Sequence, residues 1–292
     1  MLRIAGIVFV AVTLVVAGDT AGKQLLKTSD VQPFTIAWVR FALAALVLLP
    51  LARFTSVDWR VFTDWLAIAR AMCIACGICS IMTALRTEPI ANVYGAFFIG
   101  PIVSFVLAVI FLKERPSRLR AALLCIGFLG VLLVVKPGFG GGAGMIFALI
   151  AGVSYGVYLA MTRSVAGVHR PVVLLASQLV IGAILITPFG WTLPTPDWTV
   201  PVYVLLAASA FASAAGNYLL VIANQRAEAS LIAPLVYLQL ISATAASVIV
   251  FGDWPDQVSL IGIVLIAASG LLTVLEARPA QAAPDGKVNR GA

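Results

Sequence analysis

The chain has 292 residues, of which 62% are hydrophobic and 11% charged, and its mean hydropathy is +1.07. Soluble domains carry about 25% charged residues, so the excess of apolar side chains here must face lipid. This composition excludes a disordered chain, a nucleic-acid-binding domain and a secreted disulfide scaffold, although the net charge of +7 alone would favour a polyanionic partner.

Apolar runs long enough to cross a bilayer follow one another along the chain. A transmembrane helix needs about 20 mainly apolar residues, and ten runs of this kind are bounded by Pro, Gly or charged residues. The runs are apolar on all sides, which excludes the alternating strands of a β-barrel. We therefore predict an all-α integral membrane protein with ten transmembrane helices at residues 4–26, 33–52, 61–84, 90–112, 119–135, 144–162, 171–187, 200–223, 230–251 and 259–276.

The two halves of the chain repeat each other. Offsets of 138 to 140 residues align Pro, Gly, Trp and acidic residues through all five helix positions: Pro33 with Pro171, Gly18 with Gly156, Trp59 with Trp198, Gly77 with Gly216, Glu114 with Asp253 and Gly130 with Gly270. Such collinear matches indicate a duplicated five-helix unit. Because five is odd, the second copy enters the membrane from the opposite side. We therefore predict two inverted five-helix repeats, 1–137 and 138–277, followed by a disordered cytoplasmic tail, 278–292.

The distribution of basic residues predicts the orientation of the chain. Loops on the side of the amino terminus hold 13 of the 19 Lys and Arg residues, loops on the other side hold three, and three more lie within helices. Cytoplasmic loops carry the excess of basic residues, so both termini are expected in the cytoplasm. Orientation thus accounts for the positive net charge, and we expect no nucleic-acid partner.

Four charged residues lie well inside predicted helices: Asp19, Lys23, Arg40 and Arg70. A charge at this depth is costly unless it faces a cavity or a partner. Asp19 and Arg40 each lie about 10 Å below the same membrane surface on antiparallel helices, so they can pair. A structural ion pair and a role in substrate binding or coupling both remain open.

The sequence repeat bears on this choice. In the second half the four corresponding positions are uncharged: Val157, Met161, Gln178 and Ser209. A requirement of the fold should recur in both halves, whereas a charge used on a substrate or a proton need occur only once. The difference therefore favours a functional role for Asp19, Arg40 and Arg70.

Further polar and aromatic side chains within the predicted helices are candidates for lining a solute cavity: Trp38, Asn92, Tyr94, Tyr155, Tyr158, Asn217, Tyr237, Gln239 and Ser242. Helix packing is the alternative explanation for each of them. Tyr94 and Tyr237 rank highest because they lie on corresponding helices, the fourth and the ninth. Rings with polar tips suit an organic solute that has both apolar and charged parts.

Pro101 lies in the middle of the fourth helix, where it removes a backbone hydrogen bond and predicts a kink or a hinge. A static packing bend is the alternative. The aligned position in the ninth helix is Leu240, so the repeat does not support the hinge.

Groups that would support catalysis are sparse. Cys73, Cys76 and Cys79 form a CxxCxxC pattern, but they lie inside a predicted helix, where small packing residues are the simpler interpretation. The glycine-rich stretch 138–144 fits neither the dinucleotide-binding pattern nor the P-loop. We therefore predict no enzyme, no metal site, no cofactor and no ATP-binding subunit, and expect transport driven by gradients.

Several of these residues carry a resemblance to a known family. The stretch 101–114, which ends in Phe-Leu-Lys-Glu, and the following Pro116 resemble the end of an EamA repeat of the drug/metabolite transporter superfamily. Arg40, with a proline on either side, is similar to the second helix of that repeat. The second copy ends in Phe-Gly-Asp at 251–253, with Asp in place of the usual Glu.

This resemblance implies a ten-helix carrier of the bacterial inner membrane, with its cavity among helices one to four and six to nine. Members of this kind commonly export amino acids and other metabolites. The overall sequence resembles the amino-acid exporter branch, so we expect export of amino acids, aromatic ones among them, by alternating access. The expected partners are a small-molecule substrate and the lipid bilayer. The alternative is an exporter of drugs or organic cations, for which Asp19 is the expected acidic residue.

Overall fold

The fold is built from helices throughout the part of the chain that the computed structural model describes, residues 2–88, 90–135, 143–190, 199–252 and 254–276. Nine helical segments of these ranges are long and apolar enough to cross a membrane. The α-helices are α1 (Leu2–Thr28), α2 (Pro33–Leu51), α3 (Trp65–Thr87), α4 (Ile90–Phe97), α5 (Ile99–Ile110), α6 (Arg118–Val135), α7 (Gly144–Ser164), α8 (Pro171–Gly190), α9 (Val200–Arg226), α10 (Ala229–Val236), α11 (Gln239–Ala246) and α12 (Gln257–Glu276).

Most helices begin and end within a few residues of the predicted positions, and the start of α3 is the clearest shift. It begins at Trp65 because the Asp64 carboxylate accepts the backbone N–H of Leu66 at 3.0 Å. An N-cap side chain of this kind satisfies an N–H group that has no partner within the helix. The preceding residues, Asp58–Phe62, form a separate 3₁₀ turn. Asp253 and the predicted tail 278–292 lie outside the described residues.

The fourth predicted helix is not continuous. It divides at Phe98 into α4 and α5, and Pro101 is the third residue of α5. Proline has no N–H to bond the carbonyl oxygen four residues earlier, that of Phe97, and its ring crowds that turn of the helix. The position of the break therefore follows from the proline.

The ninth predicted helix is also broken, which the sequence analysis did not predict. It divides at Tyr237 and Leu238 into α10 and α11, although the aligned position, Leu240, is not proline. The Tyr237 ring packs directly on Gly127 of α6, and the Leu238 side chain packs on Gly270 of α12. Packing against two neighbouring helices thus accompanies this break, and Pro234 lies three residues before it, inside α10.

The two halves pack on each other through corresponding helices. In the sequence alignment α7 corresponds to α1 and α9 to α3, and the observed contacts include both α1 with α9 and α3 with α7. Further contacts join α2 with α8 and α6 with α12. Glycines allow the helices to approach each other closely. A Cβ on Gly18 would lie 2.9 Å from the Ser209 carbonyl oxygen, and a Cβ on Gly156 would collide with the Gly100 carbonyl oxygen.

The Phe-Leu-Lys-Glu segment links α5 to the second half. Lys113 has a φ of 54° and its aligned counterpart Gly252 a φ of 75°, so both turns use the left-handed conformation. Beyond this turn, Glu114 accepts the backbone N–H groups of Ala229 and Ser230 at 3.0 and 2.9 Å. These N–H groups open α10, where a carboxylate is favoured by the free donors and the helix dipole. The motif therefore ties the end of α5 to the start of α10.

Ion pairs gather at the face that the basic residues predict to be cytoplasmic. Among the described residues five lie there: Arg120 with Glu228, Arg120 with Glu276, Arg163 with Glu114, Arg170 with Asp58 and His169 with Asp64, the last of which is ionic only when the histidine is protonated. The hydrogen bond from Arg170, and then those from Thr55, lower the pKa of Asp58 to about 2, so this carboxylate stays charged at physiological pH. The pairs at Asp58 and Asp64 join the α2–α3 connection to the α7–α8 connection and so link the two halves.

Adding one methyl group at Gly156 should destabilise the protein by about 1–3 kcal/mol, the usual cost of overpacking. The new Cβ would collide with the Gly100 carbonyl and with Val103 of α5. Gly6→Ala is the matched control, because no atom lies within 4 Å of that position, and alanine favours a helix by up to about 1 kcal/mol. Thermal unfolding in detergent measures both variants, and an equal shift in the two midpoints would contradict the packing.

Candidate functional site

A buried ion pair joins Asp19 of α1 to Arg40 of α2. The Arg40 Nη1 donates to Asp19 Oδ1 at 2.7 Å, and the two side chains are 3% and 6% exposed. The pairing that antiparallel helices allow is therefore formed. Because each charge is compensated by the other, this part of the protein interior is electrically neutral as a unit.

Neutral groups complete the hydrogen bonds of the pair. The Arg40 Nε donates to the Ser209 hydroxyl of α9 at 2.8 Å, and Nη2 donates to the Gly18 carbonyl at 2.6 Å. The Tyr94 hydroxyl of α4 donates to Asp19 Oδ2 at 2.9 Å. The network thus connects three helices of the first half with one of the second half. Buried charges are stable only when their remaining donors and acceptors are satisfied in this way.

A small cavity of about 30 Å³ lies beside the ion pair. Its polar wall comes from Asp19, Arg40, Tyr155, Ser213 and Asn217, and its apolar wall from Val15, Ile74, Gly77, Ile78, Ile81 and Phe97. The Tyr155 hydroxyl and Asn217 Oδ1 are buried and have no hydrogen-bond partner in the described part of the chain. Leaving such atoms unpaired costs about 1–3 kcal/mol each. They are therefore suited to receiving the polar groups of a solute.

A second, smaller cavity of about 10 Å³ also touches Asp19. It is lined by Val16, Asp19, Thr20, Leu85, Tyr94 and Ala243. Asp19 therefore separates two cavities, with one carboxylate oxygen bound to Arg40 and the other to Tyr94. A side chain in this position can contact a solute in either cavity.

Arg70 of α3 forms a second buried cluster. Its guanidinium is 0% exposed. It donates to the Thr162 hydroxyl at 2.7 Å, the Gln178 side-chain oxygen at 2.6 Å, the Leu174 carbonyl at 3.0 Å and the Tyr158 hydroxyl at 3.3 Å. Its Cζ also lies 4.8 Å from the centre of the Tyr158 ring. All four acceptors belong to α7 and α8 of the second half.

The two arginine clusters occupy corresponding places in the sequence repeat. Arg40 binds Ser209, and these two residues align with Gln178 and Arg70, which bind each other. A guanidinium is thus present in both clusters, although both arginines belong to the first half of the chain: it comes from α2 in one cluster and from α3 in the other. This corrects the argument that the arginines lack counterparts. The difference between the clusters is Asp19, whose aligned residue is Val157.

Several predicted site residues lie outside these two cavities. Trp38 is 37% exposed and donates to the Thr187 hydroxyl at 3.0 Å. Ser242 shares a 2.7 Å hydrogen bond with the Thr13 hydroxyl. Helix packing therefore accounts for both Trp38 and Ser242.

The other predicted residues fall into three groups. Tyr237 and Gln239 are buried at the break between α10 and α11 and line neither cavity. Pro101 is buried within α5, next to the break at Phe98. The side chain of Asn92 lies outside the described residues.

Sequence reasoning missed two hydroxyl groups that accept hydrogen bonds from the arginines: Ser209 from Arg40, and Thr162 from Arg70. A signal for Ser209 was present, since it aligns with Arg70 in the repeat. Nothing in the sequence distinguishes Thr162 from the threonines that only bond their own helix. Within the described ranges, no three His, Cys, Asp or Glu side chains come together as metal ligands.

The chain belongs to the EamA-like transporter family, which matches it twice, over residues 2–136 and 142–275. Together with the nine apolar helices of the described residues, this membership defines a multi-pass membrane transporter. The chain is also similar to a crystal structure of a protein that is 20% identical, with a TM-score of 0.78 over 96% of this chain and 99% of the other. At that identity the likeness shows a shared fold.

Characterised relatives are named for different solutes. The chain is 23% identical over 269 residues to an S-adenosylmethionine uptake transporter of Rickettsia bellii, covering 90% of both chains. It is 26% identical over 241 residues to a riboflavin transporter of Rhizobium johnstonii, covering 80% of this chain and 78% of the relative. A riboflavin transporter of Vibrio cholerae is 24% identical, with 80% of both covered. Neither solute is an ordinary amino acid.

Neutralising one member of the ion pair should destabilise the protein more than neutralising both. Asp19→Asn leaves Arg40 buried with a positive charge and should cost about 3–5 kcal/mol. Arg40→Gln introduces the residue that the second half carries at this position, Gln178, and should cost a similar amount. The double variant should cost clearly less than the sum of the single costs. Thermal unfolding measures this coupling, and strict additivity would show that the two charges do not stabilise each other.

Proposed function

We propose that the protein is a secondary transporter for small solutes with a zwitterionic α-amino-acid group, working by alternating access. The observation that carries the proposal is the neutral Asp19–Arg40 pair in the wall of the small cavity, which widens to admit the solute when the carrier opens. A carboxylate in the cavity has the Arg40 guanidinium as its partner, and an ammonium group has the Asp19 carboxylate. Binding exchanges one ion pair for two, so no charge is left uncompensated.

The remaining surface of the cavity suits the rest of such a solute. Three isoleucines and Val15 offer an apolar wall, and the Phe97 and Tyr155 rings lie with their centres 5.0 Å apart and their planes tilted by 36°. The unpaired Tyr155 hydroxyl can donate or accept a hydrogen bond with a polar substituent, and the unpaired Asn217 Oδ1 can accept one. Aromatic amino acids fit this wall. S-adenosylmethionine, for which several relatives are named, also carries an α-amino-acid group and an aromatic ring system.

A transporter of organic cations would need an unpaired carboxylate facing the solute. Asp19 is the only carboxylate among the residues that line the two cavities, and it is paired with Arg40. A cation at this site would displace Arg40 and leave it buried without a counter-charge. The geometry therefore favours a zwitterion over a simple cation.

The proposed mechanism includes the inverted repeats and the orientation predicted from the sequence. Support comes from the double match to the family, the equivalent contacts of α1 with α9 and α3 with α7, and the left-handed turns at Lys113 and Gly252. We place both termini in the cytoplasm of a bacterial inner membrane and propose export as the direction of net flux. Some relatives are named as uptake transporters, so the direction of transport by this protein has to be measured.

Purified protein in liposomes should exchange labelled solutes that contain an α-amino-acid group. A suitable panel is L-tryptophan, L-methionine, S-adenosylmethionine, riboflavin and tetraethylammonium, each measured by counterflow with and without a pH gradient. At least one of the first three should be exchanged faster than riboflavin or tetraethylammonium. Exchange of tetraethylammonium alone would support the organic-cation transporter instead, and exchange of riboflavin alone would exclude the zwitterion.

Variants of the ion pair test whether it recognises the solute. Asp19→Asn and Arg40→Lys should lower the exchange of the zwitterion at least tenfold, since each disturbs one of the two charged contacts. Arg86→Gln is the control, because Arg86 is an exposed arginine that bonds Gln32 away from the cavity. Wild-type rates and pH dependence in folded Asp19→Asn and Arg40→Lys proteins would contradict the proposal.

A further inference from the structure

The Arg70 cluster contains a positive charge that no described carboxylate balances. The ion pairs of the described residues do not include Arg70, and its hydrogen-bond acceptors are two hydroxyls, one amide and one backbone carbonyl. Neutral acceptors recover only part of the cost of burying a guanidinium. A glutamine or an apolar residue would fill this position more cheaply, so the charge points to an anionic partner that binds during the transport cycle.

The cluster lies at the opposite end of the transport route from Arg40. Arg70 is about 8 Å from the start of α3, and Gln178 is about 10 Å from the start of α8, at the face with the five ion pairs. Arg40 lies about 10 Å from the start of α2 at the other face. With a hydrocarbon core of about 30 Å, the two guanidinium groups stand near opposite ends of the central third of the membrane.

The cavity reaches close to the Arg70 cluster. Ile74, which lines the cavity, is one helical turn from Arg70 on α3. Tyr155, which also lines it, stacks on Tyr158 with ring centres 6.0 Å apart and planes at 25°. The Tyr158 ring in turn covers the Arg70 guanidinium. The stacked tyrosines therefore form the partition between the solute cavity and Arg70.

We propose that Arg70 is a second binding site for the carboxylate of the solute, used when the carrier is open to the face with the five ion pairs. This inference rests on the proposed function and, for export, names the residue that binds the solute carboxylate before Arg40. In the described arrangement the ion pairs at Asp58 and Asp64 hold that face together. When they separate, Tyr155 and Tyr158 move aside and the solute carboxylate replaces the neutral acceptors of Arg70.

The chemistry of the second site differs from that of the first. Asp19 has no counterpart there, since Val157 occupies the aligned position. Arg70 therefore recognises the carboxylate, while the ammonium group faces the rings of Tyr155 and Tyr158, which attract cations weakly. A solute without a carboxylate gains no binding energy from Arg70.

The experiment compares a zwitterion with its decarboxylated analogue in membrane vesicles of both orientations. L-methionine and 3-(methylthio)propylamine form one such pair, and S-adenosylmethionine and its decarboxylated form are another. In Arg70→Gln, the half-saturation constant for the zwitterion should rise at least tenfold in one vesicle orientation and less than twofold in the other. The decarboxylated analogue is added as a competitor of the zwitterion, and its inhibition constant should change less than twofold in both orientations.

A double variant guards against a simple loss of folding. Arg70→Ser with Gln178→Arg rebuilds the arrangement of the first cluster, in which the guanidinium comes from the second helix of its repeat and binds a serine. This variant should recover the half-saturation constant of the wild type to within about threefold, because the guanidinium stands in the same place. Arg86→Gln again serves as the control.

The possible results separate this inference from the proposed function. Wild-type protein that exchanges no zwitterion overturns both. Wild-type exchange together with an unchanged Arg70→Gln constant overturns the Arg70 site alone. The same holds if Arg70→Gln weakens the zwitterion and the decarboxylated analogue equally, or if the double variant is folded but as impaired as the single one.

Discussion

The free-energy cost of burying a guanidinium in an apolar interior determines how the helices of this protein pack around its arginines. Arg40 and Arg70 are each almost completely buried, and each reaches across to helices of the other half for its acceptors. An arginine cannot lose its proton at any physiological pH. Its N–H donors therefore need hydrogen-bond acceptors placed around the guanidinium. The helices around it must therefore keep their register, and the contacts between the halves are fixed where the two arginines bind.

Glycines make this arrangement possible because backbone must approach backbone. Gly18 lies against α9 where Ser209 meets Arg40, and a Cβ at Gly22 would come within 3.1 Å of the guanidinium itself. At the other contact, Gly156 faces Gly100 beside the break between α4 and α5. In lipid, helices gain no hydrophobic energy from association, so close packing and hydrogen bonds between them decide the geometry. The same few glycines thus set both the packing and the position of the charges.

The sequence predicts the helices well because hydropathy and length determine them directly, and it predicts the Asp19–Arg40 pair because depth along antiparallel helices is simple arithmetic. It does not predict the partners of Arg70, since Thr162 and Gln178 come near it only through the crossing of α3 with α7 and α8. The break in the ninth helix was missed for a similar reason. Proline gives a local signal at Pro101, whereas the break at Tyr237 coincides with contacts to Gly127 and Gly270 on distant helices.

The missing counterpart of Asp19 has a thermodynamic consequence for the proposed cycle. A site that matches both charges of a zwitterion binds it more tightly than a site that matches one, so affinity at Arg40 exceeds affinity at Arg70. A carrier without an energy source cannot change the equilibrium distribution of its solute, and a difference in affinity must be balanced by a difference in the stability of the two empty conformations. The uncompensated charge of Arg70 supplies that balance if exposing it to water stabilises the empty carrier in the state with the weaker site. One acidic residue in one half therefore gives a symmetric scaffold a different affinity on each side of the membrane, while the direction of net flux follows the solute gradient or a coupled ion.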